Sequence, residues 1–292
     1  MPFRLERIGM AELDGLGHLT FPAVRAVAQA RHGDMAVAIA ARGDDAAAGL
    51  AIAVPGPDGQ FELLSLHVAP FFRRLGLGRA LLSAVEAHFG GSGYRLGVHF
   101  FSVPEQDQGN ARFFMACGWS RPVLARLVCA TTVANALSTP WLVEAELPAR
   151  YEVRGWNELS AGERGTLAAA LANWGHDEID PFLHEPGHDR ETSVALRDRE
   201  SGVVEGWVIT HRIDETGLRW TCSFLRPELQ RLGLMRALWL AVVHRQARCP
   251  ELTDFSFTVP VTEPRMARFA LRRMRPWLSR LAYGCTTMKK VA

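Results

Sequence analysis

The sequence predicts an α/β protein built as two copies of one unit in tandem. Three observations carry this. Strand-length apolar runs alternate with stretches of helical periodicity. Segments recur in the same order at an offset of about 157 residues. The length, 292 residues, suits two domains of ordinary size.

Taken in order, Phe3 to Ile8 alternates as a first strand, and Met10 to Ala30 reads as a helical region broken by glycines and Pro22. Met35 to Ala41 and Gly49 to Val54 form a hairpin across Arg42-Gly43-Asp44-Asp45. Pro55 to Gly59 turns into the strand Phe61 to Val68, which Pro70 stops. In the helix that follows, Leu81, Leu82, Val85 and Phe89 share one face. Tyr94 to Val103 is a strand, a polar loop runs through Asn110, Ala111 to Cys117 is a short helix ended by Gly118-Trp119, and Val123 to Val133 is extended.

The junction Arg73-Arg74-Leu75-Gly76-Leu77-Gly78-Arg79 links an apolar strand to that amphipathic helix. Glycine permits close backbone approach, successive N–H groups converge, and the helix dipole adds partial positive charge. Physically this describes an anion site. Seven of the eight residues Arg74–Leu81 recur at Arg231–Leu238, with Met235 in place of Gly78. Phe101-Ser102-Val103-Pro104 is answered by Phe257-Thr258-Val259-Pro260, and Ala111-Arg112-Phe113 by Ala267-Arg268-Phe269. Arg126-Leu127 before Thr131-Thr132 parallels Arg280-Leu281 before Thr286-Thr287. The duplication divides the chain into 1–148 and 149–292, near Pro148.

Composition limits the function. Hydrophobic residues make up 48% and charged residues 22%, enough for a globular core. A formal charge of +2 gives no general nucleic-acid signal. The five cysteines are scattered without a CxxC pair and read as reduced, mostly buried thiols. Charges in Met1-Pro2-Phe3-Arg4-Leu5-Glu6-Arg7 and the lack of a membrane-length apolar run lead to the expectation of a cytoplasmic protein with no membrane partner.

Strand, Val68-Ala69-Pro70, Arg73-x-x-Gly76-x-Gly78, helix, strand, Asn110, Phe113-Phe114 and Gly118-Trp119 together resemble the GNAT N-acetyltransferase superfamily. The resemblance covers residues 1–148 and, more faintly, 149–292. It implies two tandem domains, each a twisted, mixed, mostly antiparallel sheet flanked by helices, with acetyl-CoA between two splayed strands. Leu66, His67 and Val68 would pair with the pantetheine arm. Arg73, Arg74, Leu75, Gly76, Leu77, Gly78 and Arg79 would cradle the pyrophosphate, with N–H groups donating to ionised oxygens. A side chain at Gly78 would take space the phosphate needs. Asn110 and Phe113 would contact the far end of the arm.

The implied activity is transfer of an acetyl or other acyl group to a primary amine of a small molecule or peptide. Glu62 stands where some members carry a general base, and burial in a strand would raise its pKa toward working pH. A solvent-facing strand glutamate is the alternative, and His67 and His99 are the next candidate bases. Phe114 occupies the position of the family's usual tyrosine acid and cannot donate a proton; Cys117 and Ser120 are nearby in sequence. A non-catalytic CoA-binding sensor or scaffold, or an enzyme for a longer acyl donor, stays open.

The second half reads as degenerate, with Met235 for Gly78 and Arg219 for Glu62. His184-x-x-x-His188 has metal-ligand spacing, but Pro186 and Gly187 lie between and argue against a regular helix. With Trp174 to Asp180 it is expected to be a polar loop, and no metal is expected. The arginines Arg268, Arg272, Arg273 and Arg275 read as a solvated helix face, or as a patch for an acidic acceptor or an acyl-carrier protein.

Overall fold

The computed structural model describes residues 3–29, 35–43, 46–104, 109–171 and 179–291. Asp44, Asp45, residues 105–108 of the polar loop and Trp174 to Glu178 lie outside them. Along the first repeat run β1 (Arg4–Ile8), a 3₁₀ segment (Met10–Leu19), α1 (Pro22–Val27), β2 (Val37–Arg42), β3 (Ala47–Pro55), β4 (Gln60–Val68), α2 (Leu77–Gly91), β5 (Leu96–Pro104), α3 (Gly109–Ala116), β6 (Val123–Thr132), α4 (Val133–Leu137) and α5 (Pro140–Val143). The second repeat forms β7 (Tyr151–Gly155), α6 (Ala161–Leu171), α7 (Pro181–His184), β8 (Val194–Asp198), β9 (Val204–Arg212), β10 (Gly217–Leu225), α8 (Leu234–Gln246), β11 (Asp254–Pro260), α9 (Pro264–Phe269) and β12 (Arg280–Lys290).

The chain divides into two compact units that differ from the sequence halves 1–148 and 149–292. One is residues 1–125 with 283–292, and the other is 126–282. The cause is an exchange of final strands. β12, from the second repeat, lies beside β5, giving the first unit the order β1-β2-β3-β4-β5-β12. β6, from the first repeat, pairs antiparallel with β11 from Asp254↔Thr132 to Pro260↔Arg126, giving the second unit the order β7-β8-β9-β10-β11-β6.

Both units repeat the same irregularities at the sequence offset. β4 pairs parallel with β5, and β10 with β11, while β1–β2, β2–β3, β3–β4, β7–β8, β8–β9, β9–β10 and β6–β11 are antiparallel. Leu64 is an extra residue in β4 between Ala53↔Leu63 and Ile52↔Ser65. Thr221 is the extra residue of β10, between Trp220↔Thr210 and Cys222↔Ile209. Gly76 (φ 82°) and Gly233 (φ 77°) cap α2 and α8 in the left-handed conformation that a side chain disfavours.

In the first unit, α2 buries Leu81, Leu82, Val85 and Phe89, the face its periodicity predicts, against Phe61 and Leu63 of β4. Phe61 and Phe89 stack with centroids 4.6 Å apart. Each such side chain contributes about 1.5–3 kcal/mol on burial. The opposite sheet face packs Leu50 and Ile52 on Leu13, Leu16 and Leu19 of the 3₁₀ segment. The exchanged strand is tied in by polar contacts. Lys289 Nζ lies 2.7 Å from Glu86 Oε2 and donates to Cys117 O at 2.9 Å, while Trp119 Nε1 donates to Glu86 Oε1 at 2.8 Å.

Candidate active site

β4 pairs with β3 along its length, but its parallel register with β5 covers only Gln60–Leu63 against Leu96–His99. The bulge at Leu64 begins where that pairing ends. A bulge leaves its residue outside the regular ladder and switches which face the following side chains occupy. Phe61 and Leu63, then Leu66 and Val68, face the α2 core, while Leu64 packs on the opposite core. Ser65 also lies on that opposite face, where Thr20 Oγ1 donates to its Oγ at 3.3 Å. By alternation Glu62 and His67 belong to it too. Beyond Leu63, β4 therefore carries an apolar side toward α2 and a polar side of Glu62, Ser65 and His67 beneath the 3₁₀ segment.

Glu62 is half-buried. His67 is half-buried, and its pKa is lowered by burial first, then by the positive Arg73 and by His18. His99 is 7% exposed and donates from Nδ1 to Leu63 O at 2.6 Å. A carbonyl only accepts, so the proton is on Nδ1. The ring stacks on Phe101 at 5.3 Å and touches Phe114 at 4.8 Å. Burial lowers its pKa to about 4, only partly opposed by the Leu63 bond. His99 is thus a neutral brace at the point where β4 and β5 separate. Phe114 is 4% exposed in the same aromatic cluster. Cys117 has its thiol pKa raised, chiefly by burial, and Ser120 Oγ accepts from Met288 N at 3.1 Å, which holds β12.

The depressed His99 pKa has a measurable consequence. An unfolded histidine takes up a proton near pH 6.5, whereas folded His99 does so near pH 4. Its contribution to stability is present above pH 6.5 and is lost as pH falls toward 4, about 3 kcal/mol in total. Urea unfolding at pH 7 and pH 4.5 is expected to show a smaller pH effect in His99→Leu than in the parent chain. The other low-pKa histidines, His67, His88 and His211, act in both chains alike. Equal pH slopes would remove this assignment.

The loop after β4 is braced and strained. Pro70–Phe72 forms a 3₁₀ turn, and Arg73 Nε donates to Val68 O at 3.0 Å. Arg74 adopts φ 69°, unusual for a residue with a Cβ, and Gly76 follows at 82°. Two left-handed residues in so short a run turn successive N–H groups to one side. No side chain caps α2, so the N–H groups of its first turn, at Leu77, Gly78 and Arg79, add to the same concavity. Arg73, Arg74, Leu75, Gly76 and Arg79 are exposed, Gly78 is half-buried and Leu77 is buried. Asn110 is exposed at the start of α3, and the half-buried Phe113 reaches the α2 start.

Gly78 is helical, so it is not required for a positive φ. A Cβ there would lie 3.3 Å from the Phe113 ring and 3.8 Å from Val68 Cγ2. It points into the groove between the β4 side chains and α3, a constraint beyond the phosphate clearance the sequence suggests.

The second loop keeps the frame and loses the concavity. Gln230 Nε2 donates to Leu225 O at 3.0 Å, the counterpart of the Arg73 brace. Arg231 does not adopt the positive φ of Arg74. Leu232 N–H is taken by Leu229 O at 3.1 Å, whereas Leu75 N–H has no such backbone partner among the described residues. Arg236 folds over Gly233 and donates to Trp141 O at 3.3 Å, and the Trp141 ring packs on Phe269 at 5.1 Å. The α5 segment thus lies against the start of α8.

His188 Nδ1 donates to Glu185 O at 2.6 Å, and its Nε2 is 2.9 Å from Asn157 Oδ1. Among the described residues no group of three His, Cys, Asp or Glu side chains could hold a metal. Nor is any described helix long and apolar enough to cross a membrane. Sequence reading missed Ser65, Thr20 and His18. Only the bulge, a backbone feature, turns Ser65 to the polar face.

The family model of the acetyltransferase (GNAT) family matches residues 12–119. The sequence matches no curated protein. Among solved structures, a tandem GNAT protein from the clavulanic acid biosynthesis pathway is similar over 100% of this chain and 99% of its own, at 15% identity and a TM-score of 0.71. A GCN5-related N-acetyltransferase from Sphaerobacter thermophilus is similar over 99% and 95%, at 15% identity and a TM-score of 0.61. A glucosamine N-acetyltransferase region of a fungal multi-domain GH3 β-N-acetylglucosaminidase covers 98% of this chain and 38% of that one, at 16% identity and a TM-score of 0.65. Residues 12–119 thus match the acetyltransferase (GNAT) family, and the chain along its whole length shares the fold of a solved tandem GNAT protein.

Proposed function

We propose that the chain is an acyl-CoA-dependent N-acyltransferase with its donor site in the first unit, acting on a primary amine of a small molecule or peptide. The observation that carries this reading is the continuous path from the β4–β5 separation at Leu63 and His99 to the concave loop at Arg74 and Gly76. Fold alone would support acyl transfer only in general terms.

In this reading acetyl-CoA supplies a thioester carbonyl. The backbone of Leu66, His67 and Val68 aligns the pantetheine arm. The N–H groups of Leu75, Gly76, Leu77, Gly78 and Arg79 bind the pyrophosphate, with Arg73 bracing the strand end and Arg74 adding charge. Asn110 and Phe113 border the groove from α3. Glu62, on the polar face with His67 and Ser65, takes the proton that the acceptor nitrogen sheds as the C–N bond forms and the C–S bond breaks. Phe114 gives the departing sulfur no proton, so the thiolate leaves unassisted or takes one from water. The second unit, with its loop N–H tied back and Arg236 across Gly233, acts as a partner domain without a donor site.

Glu62→Gln is expected to lower turnover about 10²–10⁴-fold, the range for losing a general base, with acetyl-CoA affinity unchanged. Thiol release over a panel of amines is the measurement; full turnover by the variant would clear Glu62 of the role. The buried Phe114 favours a second reading, a CoA-binding sensor. Cofactor binding without turnover on any amine would support it.

A further inference from the structure

Eight of the chain's 33 basic residues, and none of its 31 acidic ones, lie in 264–292. Six of the eight are arginines on one short stretch: α9, the π-helical turn Ala270–Met274 that continues it, and the residues up to Arg280. Arg265, Arg268, Arg272, Arg273, Arg275 and Arg280 are all exposed. Elsewhere in the same unit arginines face carboxylates, as in Arg150–Asp198, Arg164–Glu185, Arg197–Glu163 and Arg212–Asp189. No described carboxylate lies within ion-pair distance of Arg265, Arg268, Arg272, Arg273 or Arg280. An ordinary solvated helix face carries charges of both signs. This one carries a single sign.

The stretch is held firmly from below. Phe269 packs on Trp141 at 5.1 Å and on Trp239 at 6.4 Å, and Ala270 and Met274 are buried. The π-helical turn inserts a residue into the helical repeat, so Leu271, Arg272 and Arg273 all face solvent together. Leu271 is 44% exposed amid the arginines. A rigid, basic surface with an aliphatic side chain at its centre is preorganised for a partner that is acidic and apolar at once.

We propose that this face of the second unit docks an acidic, amphipathic segment of another protein, carboxylates meeting the arginines and an apolar residue meeting Leu271. A nucleic acid fits less well on two counts. No aromatic side chain is fully exposed among the described residues of 126–282, which leaves bases no open aromatic platform. Outside 264–292 acidic residues outnumber basic ones, so a long polyanion would be repelled beyond the patch. The inference is independent of the acyltransferase reading.

The probe is a fluorescein-labelled helical peptide with leucines at three- and four-residue spacing and glutamates between them, titrated against the full chain by anisotropy. Binding is expected to weaken about tenfold between ~0.05 M and ~0.3 M salt as the charges are screened. It should fall at least about tenfold in R272E/R273E, and fall also in Leu271→Ala, whose charges are intact. Reversal of the exposed Arg248 should leave it unchanged. Equal binding by R272E/R273E would overturn the proposal. So would tighter binding of a single-stranded oligonucleotide of matching length. A dimer of the parent chain that R272E/R273E dissolves would assign the face to a second copy instead, and would overturn it equally.

Discussion

A chain ending at Ala282 is expected to lose the first unit altogether. Residues 283–292 are the last strand of that unit, beside β5, although the sequence places them in the second repeat. Without them β5 becomes an edge, its backbone groups lose their partners, and Thr287 leaves a fully buried position. Glu86 loses Lys289, and the Cys117 carbonyl loses its donor. A domain is stable by only about 5–15 kcal/mol, and removing a flanking strand takes away a comparable amount. The truncated chain should show lower melting cooperativity, rapid proteolysis within 1–125 and no acetyl-CoA binding. Lys289→Ala is the graded version. It leaves the mostly buried Glu86 carboxylate with its Trp119 bond but without its cation, and should cost about 1–3 kcal/mol, read by urea unfolding. For the same reason a fragment of 1–148 is not a fair test of the first repeat. It includes β6, which packs in the other unit, and lacks β12. If the truncated chain melted and bound cofactor like the parent, the exchange would not hold in solution.

That exchange marks the boundary of what the sequence could tell. The duplication was legible because its signals are local: Gly76 and Gly233 sit where a left-handed cap is needed, and the helices after them bury the apolar faces their spacing predicts. Gly49 and Gly206 stand at the same offset, but their shared role shows only in the structure. A Cβ at either would press on the carbonyl of the neighbouring strand, at 2.9 Å from His67 O or 2.6 Å from Phe224 O. Which repeat a strand completes is different. β6 and β12 are echoes of each other, so pattern and propensity are equally content with either pairing, and only contacts such as Lys289–Glu86, far apart in sequence, decide. The bulge at Leu64 was invisible for a related reason. Leu63-Leu64-Ser65-Leu66 alternates ambiguously, and the extra residue shows only against β3. Hence the family resemblance could point to Glu62, while nothing in the sequence pointed to Ser65 or Thr20 on the same face. Arg74 was named only as one residue of the cradling loop, yet its left-handed backbone distinguishes the first loop from the second.

Gly78→Met, which copies the second repeat into the first, is expected to abolish acetyl-CoA binding and leave the fold intact. Stability should not suffer from the backbone, because Gly78 is already helical and replacing a helical glycine recovers up to about 1 kcal/mol of propensity. The side chain is what matters. Its Cβ would begin 3.3 Å from Phe113, tighter than an ordinary contact, and the remaining atoms must extend into the groove between Val68 and α3. On the proposed reading the pantetheine arm enters there, so the loss should reach at least about 3 kcal/mol, over a hundredfold in affinity. Gly78→Ala, with one carbon and a small ring shift, should fall between. The reverse change separates two explanations of the second loop. If methionine alone closes that site, Met235→Gly creates a second acetyl-CoA site, and calorimetry finds two per chain. The structure argues for one. Arg231 lacks the left-handed turn, Leu232 N–H is already bonded, and Arg236 stays clasped to Trp141 whatever stands at 235. Normal binding by Gly78→Met would remove the steric argument at both loops and, with it, the assignment of the donor site to the first unit.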